Sequence, residues 1–198
     1  MLSETLRRPS HSEKVPSRSV VGVWIVVTTP QEEIFVVENR VAKFESQKVP
    51  GQFNCPAETY RQLDEGKFLG KTVPRAIFEE IGILNYQPQN VKPLGLIQLP
   101  VPDQVVIAAP YLIEVPSKTA LTYQPKDSGE STNPSWVKMY DVDQRKLAIG
   151  LHEVPLFRSP MQEIVQLIRD RQAGRGFQLI HSREPLIPQE VFDYLQGH

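Results

Sequence analysis

An apolar run over residues 19–29 constrains the fold more than any other stretch of the chain. Its sequence, SVVGVWIVVTT, is rich in β-branched residues and lacks regular polar alternation. Such a run is typical of a strand that is buried on both faces of a sheet. Residues 30–32 (PQE) favour a turn, and residues 33–38 (EIFVVE) favour a return strand. We therefore predict a β-hairpin over residues 19–38, with Trp24 in the core.

The composition excludes several functional classes. Of 198 residues, 40% are hydrophobic, which is enough for a substantial core in one domain with extensions. The net charge is −1 and no recognition motif is evident, so we expect no nucleic-acid partner. No apolar run reaches the length of a membrane helix, and the first residues lack the apolar centre of a secretory signal, so we expect no membrane association. Cys55 is the single cysteine and a predicted small core residue, which fits a reducing, cytoplasmic location.

The chain divides into three regions by composition and pattern. We expect residues 1–18 to form a disordered tail, residues 19–174 the folded domain and residues 175–198 a C-terminal extension. A short helix is predicted within the extension, over residues 188–195. The 18 prolines are spread throughout, so we expect a sheet-rich domain with many loops.

Further elements follow from the apolar patterns. Strands are also predicted over residues 52–56, 91–99, 104–115 and 135–142. Residues 116–134 are predicted to form a long polar loop, typical of lids and substrate loops, and residues 144–147 a helical turn. Ser159 as N-cap and Pro160 at the first position predict a second helix over residues 160–172.

A short helix that ends at Gly82 carries the main candidate site. We predict that it begins near Thr72, because threonine is a good N-cap and Pro74 is tolerated only in the first turn. Gly82 is suited to the left-handed residue that ends a helix. Ile77 and Ile81 are four positions apart and lie on a side suited to burial.

The other side of this helix is acidic. Arg75 and Glu79 are four positions apart, so they can pair along the helix surface. Glu79 and Glu80 offer two adjacent carboxylates on a face that Ala76 shares. Hard divalent cations prefer such oxygen ligands, so a metal site is one interpretation. A solvated acidic face is the other.

The segment RAIFEEIGI, residues 75–83, resembles the end of the Nudix box. In that family the segment is arginine, glutamate, an aliphatic, any residue, two glutamates, any residue, glycine and an aliphatic. Residues 64–66 (DEG) and 56–57 (PA) resemble earlier parts of the pattern, which gives a degenerate box at residues 61–83. The order of elements extends the resemblance over about residues 19–172. It implies an α/β fold, a Nudix-like α/β/α sandwich with a mixed central sheet.

The chain departs from this pattern at three positions. By spacing, Lys67 stands where the family has its first glutamate, and Arg61 where it has the leading glycine. Ala76 replaces the glutamate beside the arginine, which usually contributes to the metal-binding set. The loss of this carboxylate should weaken metal binding, and a carboxylate from elsewhere could substitute, with Glu58, Glu65 and Glu130 as the candidates in nearby loops.

The resemblance implies hydrolysis of a diphosphate linkage in a nucleoside diphosphate derivative or a related small phosphorylated metabolite. It makes Glu79 and Glu80 catalytic metal ligands and Arg75 the catalytic residue that orients them, with Mg²⁺ or Mn²⁺ as cofactor. Substrate-binding residues are not identified, although specificity in this family lies in loops, here residues 40–66 and 116–134. The alternative is a catalytically inactive nucleotide-binding or regulatory protein of the same fold. A homodimer through the terminal extensions is also possible.

Overall fold

The computed structural model describes residues 19–60, 67–101, 104–126, 131–142, 145–183 and 185–197. The predicted tail, residues 1–18, lies outside these stretches. No helix in the described stretches is long and apolar enough to cross a membrane.

A mixed sheet built around the first strand forms the centre of the molecule. In chain order the strands are β1 (Ser19–Thr28), β2 (Glu33–Asn39), β3 (Phe53–Asn54), β4 (Ala57–Thr59), β5 (Gly82–Leu84), β6 (Lys92–Pro93), β7 (Leu96–Val101), β8 (Gln104–Glu114), β9 (Leu121–Tyr123), β10 (Ser131–Lys138), β11 (Lys146–Ile149), β12 (His152–Pro155) and β13 (Leu179–His181). The central sheet has the order β10-β2-β1-β8-β7-β13, with β3 beside β2, β4 beside β1 and β6 beside β8. The β1–β8 and β7–β13 pairs are parallel and the other pairs are antiparallel, so the predicted mixed sheet is present. The β5–β9 and β11–β12 pairs form two small separate sheets.

The helix with the acidic pair departs from α-helical winding at both ends. It consists of a π-helical segment (Phe68–Thr72), an α-helical turn α1 (Val73–Ala76) and a second π-helical segment (Ile77–Ile81), and residues 68–81 are called the site helix below. The predicted start near Thr72 is therefore wrong, since Thr72 has helical dihedral angles, makes no side-chain cap and is buried. A bond from the Thr72 N–H to the Lys67 carbonyl spans five residues. The turn before Pro74 is therefore wound as a π turn. In an α-helix the proline ring would clash with the preceding turn, and the proline would leave one backbone carbonyl without its N–H donor.

The central sheet lies between two helical layers. Successive residues of β1 point to opposite faces of the sheet, and a helix packs on each face. Trp24 and Val26 pack in an apolar cluster with α2 (Met161–Gln172). Val23 and Ile25 pack in a second cluster with the site helix. Both faces of β1 are therefore covered, as its continuous apolar run predicts, and the architecture is an α/β/α sandwich.

Gly82 ends the site helix at a point where no side chain fits. Its φ is +106°, and a Cβ there would lie 2.4 Å from the carbonyl oxygen of Gln124. The Gln124 N–H donates to the Ile81 carbonyl at 2.7 Å, which holds the two chains in this close approach.

A Gly82→Ala variant is expected to lose at least about 2 kcal/mol of unfolding free energy, because both the backbone conformation and the close contact exclude a methyl group. Urea denaturation measures the loss. Gly176→Ala is the matched control, since a Cβ at Gly176 meets no atom within 4 Å. Equal stability of the two variants would contradict this account.

Several local predictions differ from the structure, and the strand predicted over residues 135–142 lies earlier, as β10 (Ser131–Lys138). Ser159 makes no N-cap: α2 begins two residues later, and the Ser159 Oγ lies 2.9 Å from the Ser182 Oγ instead. The helical turn predicted over residues 144–147 is wrong in its described part, because residues 146 and 147 pair with β12 as part of β11. The predicted loop over residues 116–134 contains β9, which pairs with β5 directly after the site helix.

The predicted C-terminal extension contributes to both the sheet and the core. β13 adds to the free edge of β7. The predicted short helix is confirmed as α3 (Gln189–Gln196), whose Val191 and Phe192 are buried. They pack in a third apolar cluster with Val49, Ile149 and Ile187, so the extension covers the loop that follows β2.

Candidate functional site

β4 brings a third carboxylate to the site helix. Glu58 lies opposite Val23 of β1, and its Oε1 is 3.2 Å from Nη1 of Arg75. The same Nη1 lies 3.5 Å from Glu79 Oε2, so the predicted pairing of Arg75 with Glu79 is confirmed. Nη2 of Arg75 donates to the Thr59 carbonyl at 3.1 Å. One guanidinium therefore joins the site helix to β4.

Glu58 and Glu79 form a carboxyl pair beside this guanidinium. Burial raises the pKa of Glu58, and a hydrogen bond with Glu79 raises it further. The Arg75 charge and the Thr59 N–H, which donates to Glu58 Oε1 at 2.8 Å, lower the pKa in part. The side chains of Arg75, Glu58 and Glu79 are 17%, 14% and 23% exposed, so solvent screens these interactions only partly.

The raised pKa of Glu58 predicts a pH-dependent contribution to stability. The folded state holds this proton more tightly than the unfolded state, whose ordinary value is 4.5. The contribution is therefore present below pH 4.5 and is lost as the pH rises through the folded pKa. A Glu58→Gln variant lacks this loss, so its Tm should rise relative to the wild type as the pH is raised from about 4 to about 7. If the Tm values of the two proteins changed equally with pH, this result would contradict the carboxyl pair. The control is Glu153→Gln, which changes an exposed glutamate elsewhere.

Glu80 lines a cavity of about 390 Å³, together with Glu58 and Thr59. Its charge also reaches β9: burial and then the negative charge of Glu80 raise the pKa of Tyr123, while the Arg40 charge lowers it. The Tyr123 hydroxyl is buried and has no hydrogen-bond partner within the described part of the chain. The two glutamates of the site helix therefore have different surroundings: Glu79 contacts Arg75, and Glu80 lines the cavity.

Residues of β1 line one part of the cavity. The indole ring of Trp24 lies back along β1, and a Cβ at Gly22 would be only 2.4 Å from it. The indole Nε1 donates to Asn54 Oδ1 at 3.3 Å, which fixes the ring. Other lining residues come from the ends of neighbouring strands and from the loop after β2, and they include Asn39, Lys43, Lys48, Val101, Ser131 and Arg158.

Carboxylate oxygens are the groups of this site that could hold a metal ion. Among the described residues no three His, Cys, Asp or Glu side chains are grouped closely enough to enclose a metal ion. Magnesium does not require such an enclosure, because it commonly uses one or two carboxylates and completes its coordination with water and phosphate oxygens. Glu58, Glu79 and Glu80 would supply carboxylate oxygens of the kind that this mode of binding uses.

The structure brings together some of the predicted site residues and separates others. Of the three candidate substitutes for the missing glutamate, Glu58 contacts Arg75 and Glu79, and it lies in strand β4 rather than in a loop. Glu65 and Glu130, like Arg61, lie outside the described residues. Ala76 is fully buried in the apolar cluster under the site helix, so the prediction that it shares the face of Glu79 and Glu80 is wrong.

Asn39 and Tyr123 were not predicted from the sequence. Asn39 ends β2 and lines the cavity, and Tyr123 lies in β9 within the predicted loop. The only sequence signal for Asn39 is a polar residue at the end of an apolar strand. Tyr123 gives no signal, since its position depends on the pairing of β9 with β5.

Comparison with known proteins yields structural matches and no sequence matches. No family model matches the chain, and no curated protein matches it. The NUDIX domain of Shewanella oneidensis NrtR, solved in complex with ADP ribose, aligns with a TM-score of 0.56 at 16% identity, over 82% of this chain and 94% of that one. The MutT NUDIX hydrolase of Burkholderia pseudomallei aligns with a TM-score of 0.54 at 14% identity, over 76% of this chain and 98% of that one.

A third structural match comes from a complex with another protein. The C-terminal domain of mouse MUTYH, solved with human PCNA, aligns with a TM-score of 0.50 at 13% identity, over 81% of this chain and 94% of that one. At such identities a structural match establishes the fold, whereas the activity has to be argued from the site. The α/β/α sandwich with its mixed central sheet is therefore a Nudix-like fold.

Proposed function

We propose that the protein is a divalent-metal-dependent hydrolase that cleaves a diphosphate linkage in a nucleoside diphosphate derivative or a related metabolite. The observation that carries this proposal is the guanidinium of Arg75, which holds Glu58 of β4 against Glu79 of the site helix. In this proposal Glu58 serves as the third carboxylate, in place of the glutamate that the box has at position 76. Glu80 then connects the acidic group to the cavity.

Each side chain has a distinct role in this mechanism. Glu79 and Glu80 would hold magnesium with the help of Glu58, and Arg75 keeps Glu58 and Glu79 in position. When bound, magnesium offsets phosphate charge and makes water more nucleophilic. The cavity beside Glu80 would hold the substrate with its diphosphate near the carboxylates. Since a cation at the carboxyl pair competes with the proton there, metal affinity should rise with pH.

A hydrolysis assay tests the proposal directly. The purified protein is incubated with ADP-ribose, nucleotide sugars and dinucleoside polyphosphates in Mg²⁺ or Mn²⁺, and the products are resolved by chromatography. We expect turnover of at least one class and its loss on addition of EDTA. The absence of metal-dependent turnover across the panel would reject the hydrolase.

A catalytically inactive nucleotide-binding or regulatory protein is the second candidate. Position 76 favours it, because an alanine offers no carboxylate to a metal and its side chain packs in the apolar cluster rather than toward the acidic group. The NrtR domain solved with ADP ribose and the MUTYH domain solved with PCNA are examples of binding by this fold. Calorimetry with ADP-ribose, with and without Mg²⁺, distinguishes the two: tight binding without turnover supports the regulatory protein.

A further inference from the structure

The loop that connects β2 to β3 forms one wall of the cavity beside Glu80. Residues 40–52 are called the cavity loop. The residues that it contributes to the lining of the cavity are Lys43, Ser46 and Lys48. The carboxylates come from elsewhere, since Glu58 belongs to β4 and Glu79 to the site helix. The cavity loop and the carboxylates are therefore positioned by different elements.

The cavity loop has little regular structure of its own. It contains a short 3-10 turn (Phe44–Ser46) without a buried residue, and an isolated backbone bridge between Lys43 and Lys48. The residue that follows the turn, Gln47, has a left-handed backbone with a φ of +54°. A residue other than glycine adopts this conformation at a cost, and it persists only where the surrounding structure maintains it. The shape of the cavity loop therefore depends on contacts with other parts of the chain.

Gln47 joins the cavity loop to the C-terminal segment, residues 185–197. Gln47 is 8% exposed, its Nε2 donates to the Phe44 carbonyl at 3.0 Å, and its Oε1 accepts the Ile187 N–H at 2.6 Å. Because a carbonyl only accepts and a backbone N–H only donates, these two partners fix the orientation of the amide. One side chain thus closes the turn and attaches it to the C-terminal segment.

Aromatic and aliphatic contacts strengthen this attachment. The rings of Phe44 and Phe192 meet edge to face, with their centroids 5.2 Å apart. Phe192 is 1% exposed, and it packs in the third apolar cluster with Val49 of the cavity loop. The cavity loop therefore contacts the C-terminal segment on both sides of Gln47, through Phe44 and through Val49.

We propose that the C-terminal segment positions the cavity loop for ligand binding, and that Gln47 and Phe192 are the positioning residues through which it acts. Neither is among the described residues that line the cavity, so each acts through the cavity loop. A loop that is already held in one conformation loses less entropy when a ligand binds, which increases affinity. The choice of a nucleotide as ligand rests on the proposed function, whereas the contacts of the segment do not.

Two variants test the proposal by calorimetry with each compound of the hydrolysis panel in Mg²⁺, without a requirement for turnover. Gln47→Asn leaves a side chain too short to reach both partners, and asparagine tolerates the left-handed backbone. Phe192→Leu stays apolar and removes the ring that meets Phe44. We expect each variant to bind at least about 5-fold more weakly than the wild type those compounds that the wild type binds. Mn²⁺ affinity without nucleotide should stay unchanged, because the carboxylates lie on other elements.

Gln166→Asn is the matched control, since the amide of Gln166 bonds to Asp170 within α2, and it should keep the wild-type affinity for nucleotide. A thermal melt confirms that each variant is folded. Wild-type nucleotide affinity in either folded variant would overturn the proposal whatever its Tm, because the contacts would then serve stability alone. An equal loss of Mn²⁺ affinity, or the absence of binding of every panel compound to the wild type, would also overturn it. Weaker binding in both variants without turnover in the wild type would reject the hydrolase but keep this inference. Turnover with the same KM in the wild type and both variants would do the reverse.

Discussion

A Glu79→Gln, Glu80→Gln double variant is expected to lose at least about 100-fold of the proposed metal-dependent diphosphatase turnover, and its Mn²⁺ affinity should fall in parallel. Both substitutions keep the size of the side chain and remove its charge. Glu80 faces the cavity, and Glu79 is held by Arg75 beside Glu58. The variant therefore removes two of the three carboxylates and leaves Arg75 with Glu58 as its partner.

Two measurements separate the loss of metal from a loss of fold. Turnover is assayed on the best substrate, and Mn²⁺ binding is followed by calorimetry, while a thermal melt checks the fold. Exposed Glu153→Gln with Glu190→Gln is the matched control, since it removes the same charge elsewhere and should leave turnover and Mn²⁺ binding unchanged. Unchanged turnover in the Glu79, Glu80 variant would remove both residues from the mechanism.

An Ala76→Glu variant is expected to lose about 3 kcal/mol or more of unfolding free energy, although it restores the residue that the Nudix box has at this position. Ala76 is fully buried and packs with Val73, Ile77 and Ile81 in the apolar cluster under the site helix. A glutamate here would place a carboxylate among apolar side chains, and its larger volume would overpack the cluster. Repairing the motif is therefore expected to damage the protein.

Denaturation in urea at pH 7 measures this effect. Ala76→Gln is the control for size, because it adds nearly the same volume without a charge, and the difference between the two variants isolates the cost of the buried carboxylate. Wild-type stability combined with a gain in Mn²⁺ affinity in Ala76→Glu would show that position 76 faces the metal, contrary to the packing described above.

The sequence predicted the fold well because the strongest pattern lies in the most central element. The apolar run of β1 requires cover on both faces, and α2 and the site helix supply it. The helix predicted over residues 160–172 is present as α2, and its Met161, Ile164 and Ile168 are buried in the first cluster. Short elements such as β9 and β11 were missed because their existence depends on a partner strand rather than on their own pattern.

The site was predicted less completely than the fold. The four-residue spacing of Arg75 and Glu79 predicted their contact, which is a property of the helix alone. The presence of Glu58 at the same guanidinium depends on the pairing of β4 with β1 and has no local signature. The face of Ala76 was predicted from α-helical periodicity, which does not hold across a π-helical segment.

Because the site helix has π-helical winding, the number of residues in it determines where its carboxylates lie. A π turn contains one residue more than an α turn, so the segment Ile77–Ile81 accommodates an additional residue between the buried Ala76 and the end at Gly82. Removing one residue here would favour α-helical winding and rotate Glu79 and Glu80 by about 100° relative to the preceding turn. We therefore expect the position of these carboxylates to be more sensitive to a change in the length of this segment than to most exchanges of side chains within it.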